Sequence, residues 1–335
     1  MNQFGIFIKT LILFILLMMA VACNSSPLSH PVRFSDQYQE GDTYMKIRLW
    51  GTIALANHQI NGLKLTELSG LAWDEDEKLL YVLSDKGYVF HLRPFISNHT
   101  LTHIQPIAAY LLRNQKNRRL KSRDSEGLIL LKGNNGVRHD SELLISFEKQ
   151  PRIARFTPQG KWLGNYHLPK HLQQVENYYS GNKALEAVTV HPRFSIITAP
   201  EWPLKNENTV YSLQGQHKHT LYALDRNQQW TFPAYPAPKS AIVALETLDD
   251  GSILVLERAF TSVKQPLIIS IRRLWLGENG KIESMLIVKW DNSQGWFIDN
   301  FEGLTHHRAA YFFMVSDDND SDSQRTLLSY WELLE

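Results

Sequence analysis

The sequence is poor in several features that would place it in a familiar class. Cys23 is the only cysteine among 335 residues, so no disulfide can form within the chain and the hydrophobic core must stabilise the fold. Lysine and arginine number 35, against 34 aspartates and glutamates. This balance lacks the basic excess of a nucleic-acid-binding protein, and we expect no nucleic-acid partner. Clear helical periodicity is also missing after the first 22 residues, which favours a fold built from strands.

Familiar catalytic and metal-binding motifs are absent as well. The chain contains no G-x-S-x-G, no H-E-x-x-H and no P-loop, which removes the motif support for a serine hydrolase, a zinc protease or a P-loop NTPase. The acidic stretch "DDNDSD" (317–322) does not fit an EF-hand, because Ser323 and Ser329 stand where glycine and glutamate are required. The pair of histidines in "HKH" (217–219) could bind Zn²⁺, but a polar hairpin rim is the preferred interpretation.

The N-terminus differs from the rest of the chain. Lys9 is the only charged side chain in residues 1–22, and the apolar run 10–22 is too short to span a bilayer comfortably, so the segment is predicted to be a signal peptide. The following "AVAC" (20–23) resembles a bacterial lipobox, with Ala20 where leucine is more usual. The resemblance implies a lipid on Cys23, and Asn24 then implies the outer membrane. Residues 23–44 are predicted to be a lipidated tether; the alternative is a secreted protein with an accidental thiol.

A repeated pattern occupies the remainder of the chain. "ELSGLAWDEDEKLLYVLSD" (67–85) has relatives that begin with Ser-Gly-Leu, Glu-Gly-Leu or a near variant, then run through an apolar strand, a turn and a second strand that ends at an acid. The key positions are 69, 126, 186, 246 and 302, a period of about 58 residues. Each unit holds four strand-like segments, which predicts an all-β fold, a single β-propeller over residues 45–335.

Five units predict five blades, with six as the alternative if a long unit hides a degenerate blade. The last unit supplies three strands, so "MKIRLWGTIAL" (45–55) is predicted to close the ring as its fourth. Strand one of a blade lies nearest the axis and strand two returns beside it, so the start of one and the end of the other should meet at one mouth. The side chains expected there are Ser69, Glu126, Glu186, Glu246 and Glu302 from the starts, and Asp85, Glu148, Glu201, Glu257 and Asp317 from the ends.

A ring of carboxylates must either bind cations or be neutralised by neighbouring bases. One hypothesis is a Ca²⁺ site, because calcium takes six to eight oxygen ligands. Its candidate ligands are Asp85, Glu126, Glu186, Glu246, Glu302 and Asp317. Lys149, Arg152 and Arg258 are then candidates for binding substrate oxygens, and Glu148 or Glu257 for the catalytic base. The alternative is a purely structural ring of salt bridges between blades.

The motifs "ELSGLAW…LYVLSD", "DSEGL…LISFEKQPRIARF", "LETLDDGSILVLER" and "NFEGL…FMVSDDN" resemble the phytase-like β-propeller family, which is described as having esterase-like activity. The resemblance covers roughly residues 45–335. It implies that Glu126, Glu148, Arg152, Glu186, Glu246, Glu257, Arg258, Glu302 and Asp317 match the family pattern. Ser69 departs from it, because the other units carry glutamate at this position.

Two functions follow as hypotheses from this resemblance and from the acidic mouth. The first is a metal-dependent hydrolase of phosphate or other esters, monomeric, acting on a small phosphorylated or esterified molecule on the periplasmic side of a bacterial envelope. The second is a non-enzymatic binding propeller in the same compartment. Fold alone cannot separate the two, because propellers host many functions.

The lipobox makes one prediction that the sequence alone supports. Cys23→Ser should move the mature protein from the membrane fraction to the soluble fraction, because the lipid would be its only attachment. Fractionation followed by immunoblotting measures the change. A Cys23→Ser protein that is cleaved after the signal segment yet stays with the membranes would contradict the lipid anchor.

Overall fold

The computed structural model describes residues 27–121, 123–205 and 217–335, so the predicted signal peptide and Cys23 lie outside the described residues. Within these ranges the chain folds into five antiparallel sheets around one axis, together with a small two-stranded hairpin. The predicted β-propeller is therefore confirmed, and so is the count of five blades rather than six. No helix in the described part of the chain is long and apolar enough to cross a membrane.

Four blades follow one another along the chain. Blade 1 contains β6 (Leu68–Asp74), β7 (Leu79–Ser84), β8 (Tyr88–Ser97) and β9 (Thr100–Leu111); blade 2 contains β10 (Ser125–Leu131), β11 (Glu142–Phe147), β12 (Arg152–Phe156) and β13 (Trp162–Tyr166). Blade 3 contains β14 (Leu185–His191), β15 (Ser195–Pro200), β16 (Lys218–Ala223) and β17 (Gln228–Pro233); blade 4 contains β18 (Ser240–Thr247), β19 (Ile253–Ala259), β20 (Ile268–Leu276) and β21 (Ile282–Asp291). In each, the strand order in the sheet follows the chain.

Blade 5 joins the two ends of the described chain. It contains β22 (Asn300–Arg308), β23 (Tyr311–Asp317), β24 (Thr326–Leu333) and, as the fourth strand, β3 (Ile47–Leu55), which confirms the predicted closure. The short strands β1 (Ser29–Pro31) and β2 (Thr43–Tyr44) pair with the outer side of β3, and β4 (Gln59–Ile60) and β5 (Leu63–Lys64) form the separate hairpin. Within the described residues, helical structure is limited to one turn, α1 (Lys170–Gln173), and the 3₁₀ turns Val175–Asn177, Glu278–Gly280 and Asn292–Gln294.

Residues 29–44, assigned to the tether by the sequence, belong to the folded domain. Besides β1 and β2, this segment contributes Phe34, which is 8% exposed and makes edge-to-face contacts with Trp290, Trp296 and Phe301. The propeller therefore begins near residue 29 rather than at residue 45. The segment resembled a linker in sequence because it is polar and contains proline, and the few apolar side chains that hold it, Phe34, Val32, Tyr38 and Tyr44, have no strand-like spacing.

The core consists of layers between neighbouring blades. In β19, Ile253 and Val255 pack in the layer between blades 3 and 4, whereas Leu254 and Leu256 pack in the layer between blades 4 and 5. Successive side chains of a strand point to opposite faces, and both faces of this strand are covered. Burial on both faces explains why the central strands read as unbroken apolar runs instead of alternating patterns.

The innermost strands share a β-bulge near their first residues. The extra residue is Ser69, Glu126, Glu186, Val243 or Glu302, according to the register shifts in the five blades. The fourth repeat therefore aligns at Val243 and not at Glu246, three residues later. The sequence alignment selected Glu246 because "LETL" matches the glutamate and leucine of the other repeats. The register of the strands instead follows the small residue after the bulge.

That small residue is required because the innermost strands lie very close to one another. The position after the bulge is Gly70, Gly127, Ala187, Ala244 or Gly303. A Cβ on Gly127 would lie 2.8 Å from the Glu186 carbonyl oxygen and 2.9 Å from the Val188 nitrogen, both backbone atoms of the next blade. Such distances are shorter than van der Waals contact, so the backbone itself would have to move.

Gly127→Ala should therefore reduce the free energy of unfolding by about 1–3 kcal/mol, the usual cost of overpacking a well-packed interior. Gly164→Ala is the matched control, because a Cβ on Gly164 in the outer strand β13 meets only the Arg155 Nη2 atom, at 3.6 Å. We expect that control to be neutral or slightly stabilising. Chemical denaturation of the two variants measures the difference, and equal stability would show that the innermost strands have room to spare.

Candidate functional site

The bulges and the ends of the second strands form a ring at one end of the axis, hereafter the mouth ring. The bulge residues Ser69, Glu126, Glu186, Val243 and Glu302 contribute one half. Residues at the ends of the second strands, or directly after them, contribute the other half: Asp85, Glu148, Glu201, Arg258 and Asp317. Blade 4 is the exception in both halves, because it supplies a valine and an arginine where the other blades supply a serine or carboxylates.

The mouth ring surrounds a cavity of about 180 Å³. Its wall contains eight carboxyl groups, from Glu67, Asp85, Glu126, Glu148, Glu186, Glu201, Glu302 and Asp317, but only two bases, Lys183 and Arg258. Beneath it the channel narrows to a neck of about 10 Å³ lined by the small residues after the bulges and by apolar side chains such as Leu71 and Leu245. A ligand can therefore reach the carboxyl groups only from the mouth.

Three of these carboxyl groups form a compact triad. Oxygen atoms of Glu148, Glu186 and Glu201 lie within 4.8 Å of one another, and all three residues are buried. The Oε1 atom of Glu148 accepts a hydrogen bond from the Ala184 N–H at 3.0 Å, which fixes its orientation. Such a set of buried oxygen donors fits a hard divalent cation, which prefers carboxylate and carbonyl oxygens. Within the described residues, this triad is the group of His, Cys, Asp or Glu side chains that lie close enough together to hold a metal ion.

Arg258 and Lys183 neutralise only part of the ring. Arg258 Nη2 lies 3.0 Å from Glu201 Oε1, and Nη1 donates to Glu302 and to Asn300 Oδ1. Lys183 Nζ lies 2.5 Å from Glu201 Oε2. Burial opposes the positive charge of Arg258, but the attraction of Glu302 and Glu201 outweighs it and raises its pKa. Arg258 is thus fixed across the ring and stays charged.

Four carboxyl groups of the cavity, those of Asp85, Glu126, Glu148 and Asp317, hold protons more tightly than usual. Burial, reinforced by the neighbouring Glu67, raises the pKa of Asp85 to about 7. Burial and the charge of Glu201 raise the pKa of Glu148 to about 8, and burial and Glu302 raise that of Asp317 to about 9. The pKa of Glu126 is also raised, first by burial and then by Glu148. A ring with too few bases must therefore bind either protons or added cations.

Glu246 does not line this cavity, which corrects the expected placement. It lies three residues beyond the bulge of β18, where it accepts a hydrogen bond from the His306 N–H of blade 5. Equivalent side chains elsewhere do the same: Thr189 accepts from the Thr247 N–H at 3.2 Å, and Thr305 accepts from the next blade. Glu246 therefore joins neighbouring innermost strands beyond the neck. Burial raises its pKa to about 8, and its Oε2 atom has no hydrogen-bond partner within the described ranges.

Glu257, one of the two candidate bases, also lies away from the cavity. It precedes Arg258, so its side chain points to the opposite face of β19. There Arg272 donates to both of its oxygens, at 2.5 and 2.7 Å, and His219 Nε2 lies 3.1 Å from Oε1. Burial alone would raise the pKa of Glu257, but His219 and Arg272 outweigh it and lower the pKa. Glu257 is a buried structural anion without access to a substrate.

Lys149 and Arg152, the other candidate substrate-binding residues, line a neighbouring cleft instead of the cavity. Lys149 Nζ lies 2.6 Å from Asp124 Oδ2, and the Arg152 guanidinium lies 3.7 Å from the centre of the Phe147 ring. The cavity itself contains nine of the predicted residues: Ser69, Asp85, Glu126, Glu148, Glu186, Glu201, Arg258, Glu302 and Asp317. Sequence reasoning did not single out Asn182 or Asn319 of the cavity wall, or Asn300 beside Arg258, since isolated amides carry no distinctive spacing.

The raised pKa values predict how stability depends on pH. The folded protein keeps protons on Asp85, Glu148 and Asp317 that the unfolded chain releases near the ordinary carboxyl values of 3.8 and 4.5. The folded state therefore binds more protons and loses stability as pH rises through about 7 to 9. In chelator, the melting temperature should fall between pH 7 and pH 9. Glu246→Gln should retain most of this decline, because the mouth ring is unchanged. A melting temperature that stays level in this range would contradict the proton-holding ring.

Comparison with known proteins found one family model and several solved structures of low sequence identity. The family model Phytase-like, described as esterase-like activity of phytase, matches residues 64–320. Among solved structures, the β-propeller domain of Cps50 (Swd1) from Myceliophteria thermophila is 11% identical, with a TM-score of 0.37, over 92% of this chain and 97% of that one.

A second solved structure is the extracellular domain of BT4673 from B. thetaiotaomicron, described as a hybrid two-component system. It is 11% identical, with a TM-score of 0.37, and the match covers 88% of this chain but only 34% of that one, so this chain spans about a third of its length. No curated protein matches. Because the family model covers well over half of the sequence, the chain belongs to the phytase-like family.

Proposed function

We propose that the protein is a divalent-cation-dependent hydrolase of phosphoric or other esters, and that the reaction takes place in the mouth cavity. The observation that carries this proposal is the excess of eight carboxyl groups over two bases in one small cavity, three of them in the compact triad. A purely structural ring of salt bridges would need a base for each acid. Membership of the phytase-like family is consistent with ester chemistry.

The residues of the triad would hold the cation. A bound Ca²⁺ would polarise an ester oxygen and lower the pKa of a water molecule. Glu148, Glu186 and Glu201 would bind the ion, and the Ala184 N–H keeps Glu148 oriented towards it. Arg258 lies on the far side of Glu201, where its guanidinium would orient an anionic ester group.

Glu126 is suited to proton transfer. It lines the cavity next to Glu148 but is not one of the three closely spaced groups. Burial raises its pKa and so favours the protonated form, which would donate a proton to the leaving alcohol. Glu148 remains in the site as expected from the sequence, with the role of a cation ligand rather than of a free base.

The cellular location forms part of the same proposal. The apolar segment 10–22 followed by Cys23 supports an outer-membrane lipoprotein facing the periplasm. Residue 29 already belongs to β1, so only a few residues separate Cys23 from the folded domain. At about 3.3–3.6 Å per residue, the tether would hold the propeller within roughly 20 Å of the lipid.

The second candidate is a binding propeller without catalysis, and the position of Arg258 favours it. This guanidinium is bonded to Glu201, Glu302 and Asn300 at once, which is the arrangement expected of a structural crosslink between blades 3, 4 and 5. In this case the mouth would recognise a cationic ligand or a protein partner of the envelope, and added calcium would have no effect on stability.

Calcium should raise the melting temperature of chelator-treated protein, because an ion that binds only the folded state stabilises it by about 2.7 kcal/mol at a hundredfold excess over Kd. Glu186→Gln should abolish this response by removing one triad ligand. Glu246→Gln is the matched control, since this equally buried glutamate lies outside the cavity, and it should respond like the wild type.

Hydrolysis is tested on the same three proteins with p-nitrophenyl phosphate and p-nitrophenyl acetate, in calcium and in chelator. Calcium-dependent turnover by wild type and Glu246→Gln, but not by Glu186→Gln, is the expected result. Melting that is independent of calcium in all three proteins would overturn the cation site. A calcium response without hydrolysis of either ester would favour the binding propeller.

A further inference from the structure

One connection at the mouth end of the propeller is strongly basic. Residues 112–124, hereafter the basic loop, join β9 to β10 and carry six bases: Arg113, Lys116, Arg118, Arg119, Lys121 and Arg123. The loop lies against the mouth-side turn between β7 and β8, because Arg119 Nη2 donates to the Tyr88 hydroxyl at 2.8 Å and the Arg123 side chain lies beside Gly87.

The charges of the basic loop are not neutralised by the protein. Among the described residues, no carboxylate lies within ion-pair distance of its six bases, because Asp124 at the end of the loop is paired with Lys149 at 2.6 Å. Lys116, Arg118 and Lys121 are exposed to solvent. A concentration of unpaired bases creates a local positive potential that attracts an extended anionic partner.

Exposed apolar side chains lie at the same end of the molecule, on blade 4. The connection between β19 and β20 follows Ala259, which pairs with Ser240 at the start of the innermost strand β18. It carries Phe260, which is 46% exposed, and Val263, which is 92% exposed, and Lys264 comes next. Apolar side chains beside a base suit the boundary between lipid head groups and acyl chains, where the apolar atoms leave water and the charge stays in it.

The N-terminal end of the described chain also reaches the fold at the mouth end. Ser29 pairs with Leu55, the last residue of β3, and Leu55 pairs with Thr326, the first residue of β24 after a mouth-side connection. The sequence before Ser29 contains the apolar run 10–22 and Cys23. A lipid on Cys23 would therefore hold the mouth end, rather than the opposite end, next to a bilayer.

We propose that the mouth face docks on an anionic membrane surface, with the basic loop contacting lipid phosphates and with Phe260 and Val263 entering the head-group layer. Bases close to an anionic bilayer strengthen binding by electrostatic attraction. The basic loop joins blades 1 and 2, the apolar side chains lie on blade 4, and the chain enters at blade 5, so the three contacts together orient the whole face. The mouth cavity then opens towards the lipid head groups. Only the lipid on Cys23 rests on the proposed cellular location, and the docking surface requires neither that lipid nor hydrolysis.

Residues 27–335 are the protein to test, because they contain every described strand and lack both the apolar run and the only cysteine. Cosedimentation should show binding to vesicles of phosphatidylglycerol and phosphatidylcholine in equal parts that is about tenfold or more tighter than binding to pure phosphatidylcholine. Added salt should weaken it by screening. Lys116→Gln/Arg118→Gln/Lys121→Gln should lose about tenfold or more of the affinity for the mixed vesicles.

Lys78→Gln/Lys132→Gln/Arg138→Gln is the matched control. These bases are also exposed, and they lie in or beside the turns between the first and second strands of blades 1 and 2, at the end away from the mouth. The control removes the same charge and should bind the mixed vesicles like the wild type. Melting temperatures establish that both triple variants are folded.

The orientation of the docked protein is tested with single fluorescent labels. Residues 27–335 contain no cysteine, so Val263→Cys and Val137→Cys each supply one thiol for an environment-sensitive dye. Val137 is 53% exposed and lies between β10 and β11, at the end away from the mouth. Mixed vesicles should shift the emission of the label at 263 to shorter wavelength and leave that of the label at 137 unchanged.

The outcomes separate this inference from the proposed function. Equal binding to both kinds of vesicle, equal loss in the two triple variants, or equal shifts of the two labels overturns membrane docking by the mouth face. Binding to soluble heparin without binding to the mixed vesicles overturns it as well and assigns the basic loop to another polyanion. Docking by a protein that hydrolyses no ester supports the surface and overturns the hydrolase. Calcium-dependent hydrolysis without vesicle binding supports the hydrolase and overturns the surface.

Discussion

The close approach of the five innermost strands is the constraint on which the rest of the molecule depends. With only five blades around the axis, the backbone of one innermost strand lies so near the next that a Cβ on Gly127 would be 2.8 Å from a carbonyl oxygen. A glycine or alanine is therefore needed at one level of every blade, and the channel closes to a neck there. Closure of the neck turns the channel into a cavity that is open only at the mouth.

The bulges that precede these small residues give the cavity its chemistry. An extra residue in one strand bends the chain and redirects a side chain, and repetition of this feature brings side chains from every blade to the same level. Four blades contribute acids to the mouth ring. Mutual repulsion and burial then raise their pKa values, so the site stores either protons or cations. The close packing of the innermost strands thus closes the channel and also brings the acidic side chains together at its mouth.

Blade 4 breaks the pattern and makes the ring asymmetric. Val243 removes one carboxyl group, and Arg258 supplies a fixed positive charge where the other blades have an acid. Arg258 bonds to Glu201 and Glu302, and Glu201 also belongs, with Glu148 and Glu186, to the triad that could hold a cation. Residues 167–184, which join blades 2 and 3, supply Lys183 to this side of the ring. The proposed cation site therefore lies towards blades 2 and 3.

The sequence alone determined the blade count, the closure by residues 47–55 and nine residues of the cavity, because these depend on a repeat in which glutamate, glycine and leucine recur at nearly constant spacing. Only the tertiary structure decided the register in blade 4. Val243 and Glu246 are three residues apart and both have apolar neighbours, so either could be aligned with the other repeats. It also decided that Arg258, and not the adjacent Glu257, lines the cavity, because neighbouring side chains of a strand point to opposite faces.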